Sequence, residues 1–457
     1  MVSSSASITR NKQRYLLEVN GRYDGSSKFA KDHRYAFFPS VSAAWRISEE
    51  NFWQPLKGWW NDMKIRGSYG SLGNQVMDDL GNFPYLATYG TNSSYNYLIN
   101  GSKPVIVKAP GLVAPDFTWE TVTQMDFGFD ASFLNNRLTG TFDWYRRNTK
   151  DMLVAGATLP ATLGASVPKS NSADMKTIGW ELSLGWNDRL ENGFSYWVKG
   201  VLSDYQATIT KYAGNDAGFY SQSDGDGKYY VGQKIGEIWG YHSNGLFQSD
   251  DEAATIDQSE LYAGKWGAGD VKYEDLDNDG KITKGEETIY NPGDKSIIGN
   301  KTPRYQFGIT VGFDYKNFDF EMFWQGTGKR DYMLSGAQFW GFTSQWDVPY
   351  TPALDYWTET NTDAYFPRPG WQNGGNRVTS DRYLQSAAYG RLKNLTVGYT
   401  IPKNLTTKWG ISRLRLYVTG ENLLTITPLN DAFDPETLGG MTYPINRKVA
   451  IGLNLTL

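Results

Sequence analysis

Residues 448–457 read KVAIGLNLTL, and every second position is apolar: Val449, Ile451, Leu453, Leu455 and Leu457 alternate with Lys448, Ala450, Gly452, Asn454 and Thr456. A strand sends successive side chains to opposite faces, so this stretch presents one wholly apolar face and one small, polar face. The same period recurs upstream. Tyr15, Leu17, Val19 and Tyr23 alternate with Glu18, Asn20 and Arg22, and Tyr35, Phe37, Val41, Trp45 and Ile47 with Arg34, Ser40, Ser42 and Arg46. Met125, Phe127, Phe129 and Phe133 alternate with Gln124, Asp126, Asp130 and Ser132, and Tyr305, Phe307, Ile309, Val311 and Phe313 with Arg304, Gln306, Thr310 and Asp314.

Twelve such segments fall near 13–23, 34–47, 63–72, 119–134, 138–152, 176–187, 195–211, 304–315, 318–328, 389–400, 412–424 and 446–457. Globular strands centre near about five or six residues, whereas a tilted strand crossing a bilayer needs about nine to eleven, so these lengths favour a membrane wall. The connections alternate too. Long ones at 73–118, 153–175, 212–303, 329–388 and 425–445 are separated by short ones such as NNR, DRLENGF and KN. Outer-membrane barrels have this asymmetry, with long loops outside and short turns in the periplasm. The expectation is an all-β protein: an antiparallel transmembrane β-barrel, about twelve strands of a larger barrel, with its C-terminus in the periplasm. A secreted carbohydrate-binding β-sandwich shares the alternation but not such long strands or a loop as long as 212–303. Trp45, Trp144, Trp186 and Trp324 near strand ends suit interfacial girdles, although buried core aromatics read the same way one by one.

Composition narrows the function. The 457 residues include 17 Trp, 30 Tyr, 22 Phe and 49 Gly, a balance of many strands and many turns. Cysteine is absent, which excludes disulfides and thiol catalysis and suits an extracytoplasmic protein. The net charge of −4 exerts no general pull on nucleic acid, and His33 and His242 are the whole histidine complement, little for zinc or general-base chemistry. No window approaches 18 consecutive apolar residues, which excludes a transmembrane helix but not a barrel, whose hydrophobicity hides in alternate positions. The first residues, MVSSSASITRNKQRY, lack the apolar core of a signal peptide, so an export signal is expected elsewhere.

Residues 275–286, DLDNDGKITKGE, fit a calcium loop: oxygen ligands at positions 1, 3, 5, 7, 9 and 12 fall on Asp275, Asp277, Asp279, the Lys281 carbonyl, Thr283 and Glu286. Gly280 takes the turn and Ile282 the apolar anchor. An acidic surface turn selects some of the same residues. The flanks GAGDVKY and TIYNPGDKSIIGNKTP are not sensor helices, so the expectation is a static extracellular Ca²⁺ clip that fixes loop 212–303.

Particular blocks carry a family resemblance. RYDGSSKFAKDHRYAFFPSVSAAWRISEENF (22–52), LKGWWNDMKIRGSYGSLGNQ (56–75), GEIWGYHSNGLFQS, YGRLKNLTVGYTIPK and LRLYVTGENLLTIT, with the acidic loop and its flanks, resemble the barrel of SusC/RagA-type TonB-dependent transporters of Bacteroidetes, in the family's order over nearly the whole chain. The resemblance implies TonB-dependent uptake of oligosaccharides or peptides across the outer membrane under a SusD-like surface lipoprotein. It implies that 1–457 is a C-terminal portion of the barrel, with long extracellular loops at 73–118, 212–303 and 329–388. The plug domain and the TonB box are expected upstream of these residues. A passive porin or an adhesin on the same barrel is the alternative. No catalytic set is marked out by context, so no enzyme is expected. Trp340, Trp346, Trp357 and Trp371 are candidates for stacking on ligand or docking the lid, against a role in packing their own loop.

Overall fold

The computed structural model describes residues 2–11, 13–75, 81–92, 98–99, 101–103, 105–114, 116–156, 160, 162, 164–220, 229–438 and 443–457. Thirteen strands form one antiparallel sheet in chain order. They are β1 Val2–Asn11, β2 Tyr15–Gly25, β3 Tyr35–Arg46, β4 Trp60–Asn74, β5 Glu120–Phe133, β6 Leu138–Ala155, β7 Lys169–Arg189, β8 Ser195–Tyr212, β9 Arg304–Tyr315, β10 Phe318–Lys329, β11 Tyr389–Thr400, β12 Arg413–Ile426 and β13 Lys448–Thr456. All twelve segments read from the alternation are strands of this sheet. The thirteenth, β1, has the Ser-rich sequence VSSSASITRN and no apolar face to betray it. It pairs with β2 from Asn11 opposite Tyr15 to Val2 opposite Asp24, so the sheet continues beyond the first strand that the alternation marks. The outermost strands of the sheet are β1 and β13.

Register converts the alternation into two faces. Trp45 lies opposite Ile65, which continues through Phe129, Phe142, Leu182 and Leu202 to Phe307. A second row runs from Leu138 through Trp186, Val198, Val311, Met322, Leu395 and Gly420 to Val449. A sandwich would bury these rows beneath a second sheet. Instead Phe37, Phe127 and Ile451 are 62%, 54% and 83% exposed, and the remaining sheets among the described residues are two-stranded ribbons. Exposed apolar rows around a continuous sheet are the lipid face of a barrel wall. The other face carries Arg66, Asp126, Asp130 and Asp143 and packs aromatics over glycines: Tyr145 lies opposite Gly179, Trp197 opposite Gly312 and Tyr417 opposite Gly452. A Cβ at those glycines would come within 2.5, 2.2 and 2.3 Å of the facing ring.

The connections run from two to thirteen residues at one end (12–14, 47–59, 134–137, 190–194, 316–317 and 401–412) and from nine to ninety-one at the other (26–34, 75–119, 156–168, 213–303, 330–388 and 427–447), so the longest share one end. Two-residue reversals need left-handed backbone, which Lys316 supplies at φ 55°. Strand β7 begins at Lys169, earlier than its sequence pattern, because Lys169–Ala173 pairs with Met152–Ala155. At roughly 3.3 Å per residue its 21 residues span about 70 Å, more than twice the hydrocarbon core, so the β6–β7 hairpin stands above the membrane. Among the described residues no helix is long and apolar enough to cross a membrane.

Three long loops, 213–303, 330–388 and 427–447, share one hydrophobic core. Leu246, Tyr273 and Ile282 pack with Leu334, Phe339, Phe366 and Tyr383 and with Leu429, Phe433 and Leu438. A smaller cluster of Phe29, Phe38, Phe117 and Trp119 joins the first two loops of that end to the wall.

Candidate functional site

Strands β2–β7 hold a trough of about 970 Å³ lined by polar Glu18, Asn20, Arg22, Gln124, Arg147 and Thr177 together with apolar Phe38, Val41, Leu72, Val122 and Met175. Beside the trough, charges on the polar face are balanced locally. Arg66 reaches Asp143 at 2.5 Å and Asp130 at 3.3 Å, and Lys64 reaches Asp130 at 2.7 Å. Hydroxyls, amides and paired charges here can hydrogen-bond a polar solute while the opposite face contacts lipid.

The fused loops cap the same end as the long connections. Asp270, 1% exposed, accepts from Arg368 Nη2 at 2.7 Å, Asn376 Nδ2 at 2.8 Å and the Gly267 amide at 3.0 Å, which ties loop 213–303 to loop 330–388. Buried Gln258 brackets the Val271–Tyr273 strand, donating to the Val271 carbonyl and accepting from the Tyr273 amide. His242 bridges the same loops, Nδ1 to Asp381 at 2.7 Å and Nε2 to Ser296 Oγ at 2.7 Å. Sequence context did not bring this Ser–His–Asp trio together. The second Asp381 oxygen accepts from the Ser243 amide at 3.0 Å, and backbone bonds from the Tyr241 amide to Thr379 and from the Asp381 amide to Tyr241 run beside it, so the trio lies within a seam between the loops.

The acidic loop hangs from this cap. Ile282 is fully buried, and the Ile282 amide and the Gly280 carbonyl pair with the Asp257 backbone. The Asp275 carboxylate accepts amides of Asn278 (2.7 Å), Asp279 (3.3 Å) and Gly280 (2.8 Å), with Asn278 and Gly280 left-handed at φ 61° and 83°. Desolvation raises the Asp275 carboxyl, but those amides outweigh it and hold its pKa below the ordinary value. Desolvation, then repulsion from Asp279, raises that of Asp277. Among the described residues the carboxylates that converge are Asp275, Asp277 and Asp294, with oxygens within 4.8 Å of one another. Asp294 is wholly buried and accepts the amides of Leu276 and Thr283, each at 2.7 Å. Of the other predicted ligands, Asp279 accepts the Lys281 amide at 2.8 Å, and Glu286 pairs through its backbone with Asn291; neither belongs to the converging group. Sequence reasoning missed Asp294 because it lies beyond the twelve-residue pattern. Carboxylate oxygens around an EF-hand-like turn are the donor chemistry of a hard divalent cation.

The four tryptophans divide. Trp340 is 8% exposed within the cap core, stacked edge-on against Tyr383 at 4.6 Å. Trp357 packs against that core and lies over Gly269, where a Cβ would come within 2.4 Å of its ring. Trp346 and Trp371 point outward, 83% and 47% exposed. Val348 and Tyr350 extend the exposed surface beside Trp346, and Asp347 fixes that tip by accepting the amides of Thr343 and Ser344.

An apolar outer face, a polar inner face and the longest loops gathered at one end define the wall of an outer-membrane β-barrel. Residues 5–423 match the family model for the TonB dependent receptor-like β-barrel, and the chain belongs to that family. It is 30% identical to TonB-dependent receptor P26 of Formosa agariphila over 97% of this chain and 45% of that protein. It is 28% identical to TonB-dependent receptor SusC of Bacteroides thetaiotaomicron over 97% of this chain and 42% of that one. The RagAB peptide transporter structure has the same fold, with TM-score 0.78 at 22% identity, covering 99% of this chain and 47% of that chain. The chain thus spans less than half the length of the relatives it matches.

Proposed function

We propose that these residues form the C-terminal part of the barrel of a TonB-dependent importer, which carries oligosaccharides or peptides across the bacterial outer membrane under a SusD-like surface lipoprotein. The observation that carries this reading is the pairing of a wall that has one apolar and one polar face with a fused cap built from three loops of one end. Further strands of the same protein pair with β1 and β13, and the plug and the TonB-contacting segment lie in the remaining length. In this reading the long-loop end is extracellular and the C-terminus periplasmic, which the usual asymmetry of outer-membrane barrel hairpins supports. Exposed Trp346 and Trp371 offer flat rings for sugar faces or for the lid, while Trp340 and Trp357 brace the cap. Energy coupling separates this reading from a porin or an adhesin. In the native bacterium, deleting the full-length gene should abolish growth on one oligosaccharide or peptide source, and deleting TonB should have the same effect. Uptake that persists without TonB points to a passive pore, and no uptake defect at all points to an adhesin.

Calcium at the acidic loop belongs to the same proposal. Asp275, Asp277 and Asp294 would hold it, with the remaining ligands from the loop backbone and water, and the ion would offset the repulsion among the carboxylates. Its role is to stiffen the part of loop 213–303 that hangs from Ile282.

A further inference from the structure

Two rows of side chains cross the trough, and register fixes both. Asn20, Ser40, Gly70, Gln124, Arg147 and Thr177 lie opposite one another in turn from β2 to β7. Two residues nearer the long-loop end, Leu72 lies opposite Val122, Val122 opposite Thr149 and Thr149 opposite Met175. Two residues along a strand span roughly 6.6–6.8 Å, so a largely apolar row runs that far above a polar one. Leu72 shares the face of Arg66 and Ser68, the polar face, yet it is 59% exposed there. Apolar side chains lined up in a cavity wall are binding surface for an apolar group.

Arg147 is the second departure from the pattern of the wall. Arg22, Arg66, Arg391 and Arg415 on the polar face each meet a carboxylate, that of Asp24, Asp143, Asp434 and Asp319. The Arg147 guanidinium is held instead through Nε, which donates to Gln124 Oε1 at 3.2 Å, and by the Tyr145 ring, whose centroid is 5.9 Å away. Among the described residues its two Nη groups have no partner. A guanidinium fixed in this way presents a fork of donors that matches a carboxylate. Val122 and Met175 stand diagonally above it on the neighbouring strands.

We propose that this stretch of wall is a subsite for the C-terminus of a peptide. The terminal carboxylate meets the Arg147 fork, and the apolar side chain of the terminal residue lies on Leu72, Val122 and Met175. The amide nitrogen of Gln124 and the hydroxyl of Ser40 serve the preceding peptide groups. One amino-acid residue carries an anion and an apolar group at the separation of the two rows, and a neutral sugar carries neither. Among the described lining residues a sugar face would also find no open ring, because Tyr69 pairs with Met125 on the lipid face and Phe38 is 5% exposed. Calling the bound peptide cargo rests on the importer reading, whereas the subsite rests on the wall alone.

The test uses the full-length protein in lipid nanodiscs, titrated calorimetrically with the tetrapeptide AAAL, its C-terminal amide, the tetrapeptide AAAG, maltotetraose and octanoate. AAAL should bind, its amide about tenfold more weakly, the size of a hydrogen bond to a charged group, and AAAG more weakly as well. Arg147→Gln should erase the difference between acid and amide. Leu72→Ser should erase that between AAAL and AAAG, so one variant reads the subsite if the other fails to assemble. On a cysteine-free background a water-soluble maleimide should label Leu72→Cys, and AAAL should slow the labelling. Absence of AAAL binding, equal affinity for acid and amide, or octanoate or maltotetraose bound as tightly as AAAL overturns the proposal. A Leu72→Cys closed to maleimide also overturns it, because another segment of the protein then covers the trough. TonB-dependent growth on a glycan without AAAL binding overturns the subsite and leaves the importer reading standing, and AAAL binding with TonB-independent uptake does the reverse.

Discussion

Asp294 lies nineteen positions after Asp275, yet its buried carboxylate sits beside Asp275 and Asp277 because segment 283–294 folds back, with the Thr283 amide donating to one carboxylate oxygen and the Asp294 amide to the Thr283 carbonyl. A linear motif cannot report such a return, which is why the acidic turn was legible in sequence and its third converging carboxylate was not. Asp294→Asn should therefore abolish calcium-dependent protection of loop 213–303 from trypsin, while Glu286→Gln should leave it intact; the opposite pattern would restore the linear motif. Arg368 offers a second test at this scale. Its removal leaves the Asp270 carboxylate buried with only Asn376 and the Gly267 amide, and depriving a buried charged group of a partner costs more than the roughly 1–3 kcal/mol of a neutral one. Arg368→Ala should thus make the cap, and not the strands, more open to amide hydrogen exchange. Trp340 and Trp346 show the limit of sequence at this scale: six positions apart, they read alike, and only folding buries the first and exposes the second.

Among the elements, legibility followed hydrophobic contrast. Strands β2 to β13 announced themselves because one face meets lipid and the other a polar lumen, so the period of two is written in residue type. Strand β1, with Ser at four of its ten positions, has no such contrast and was found only through its register with β2. The start of β7, KSNSADM, lacks a clear alternation because it rises above the membrane, and its Ala173 and Met175 pack with Ile209 and Tyr212. In β13 the register places Leu453 opposite Leu416 and Asn454 opposite Arg415, on opposite faces of the wall. Leu453→Arg should cost about 2–4 kcal/mol if it lies near the bilayer midplane and should reduce the heat-modifiable folded band, whereas Asn454→Arg should be tolerated. Equal loss for both would reverse the assignment of faces.

For the whole molecule, the parity of hairpins, the shared core of three loops and the two strands at the edges of the described sheet belong together. A hydrocarbon layer does not tolerate unpaired strand edges, so the wall requires partners for β1 and β13. Residues 1–457 expressed alone should accumulate as aggregate or be degraded, and recovery of a stable closed monomer would show that the sheet closes on itself. The central claim, a membrane-spanning wall with one lipid face and one polar face, is tested most directly by nitroxide scanning of residues 413–426 and 448–456 in the full-length protein in liposomes, comparing collisions with oxygen and with a water-soluble nickel complex. The account predicts oxygen maxima at Leu414, Leu416 and Val418 on β12 and at Ile451, Leu453 and Leu455 on β13, with nickel maxima at the intervening positions. Nickel accessibility without a period of two along both strands would contradict it.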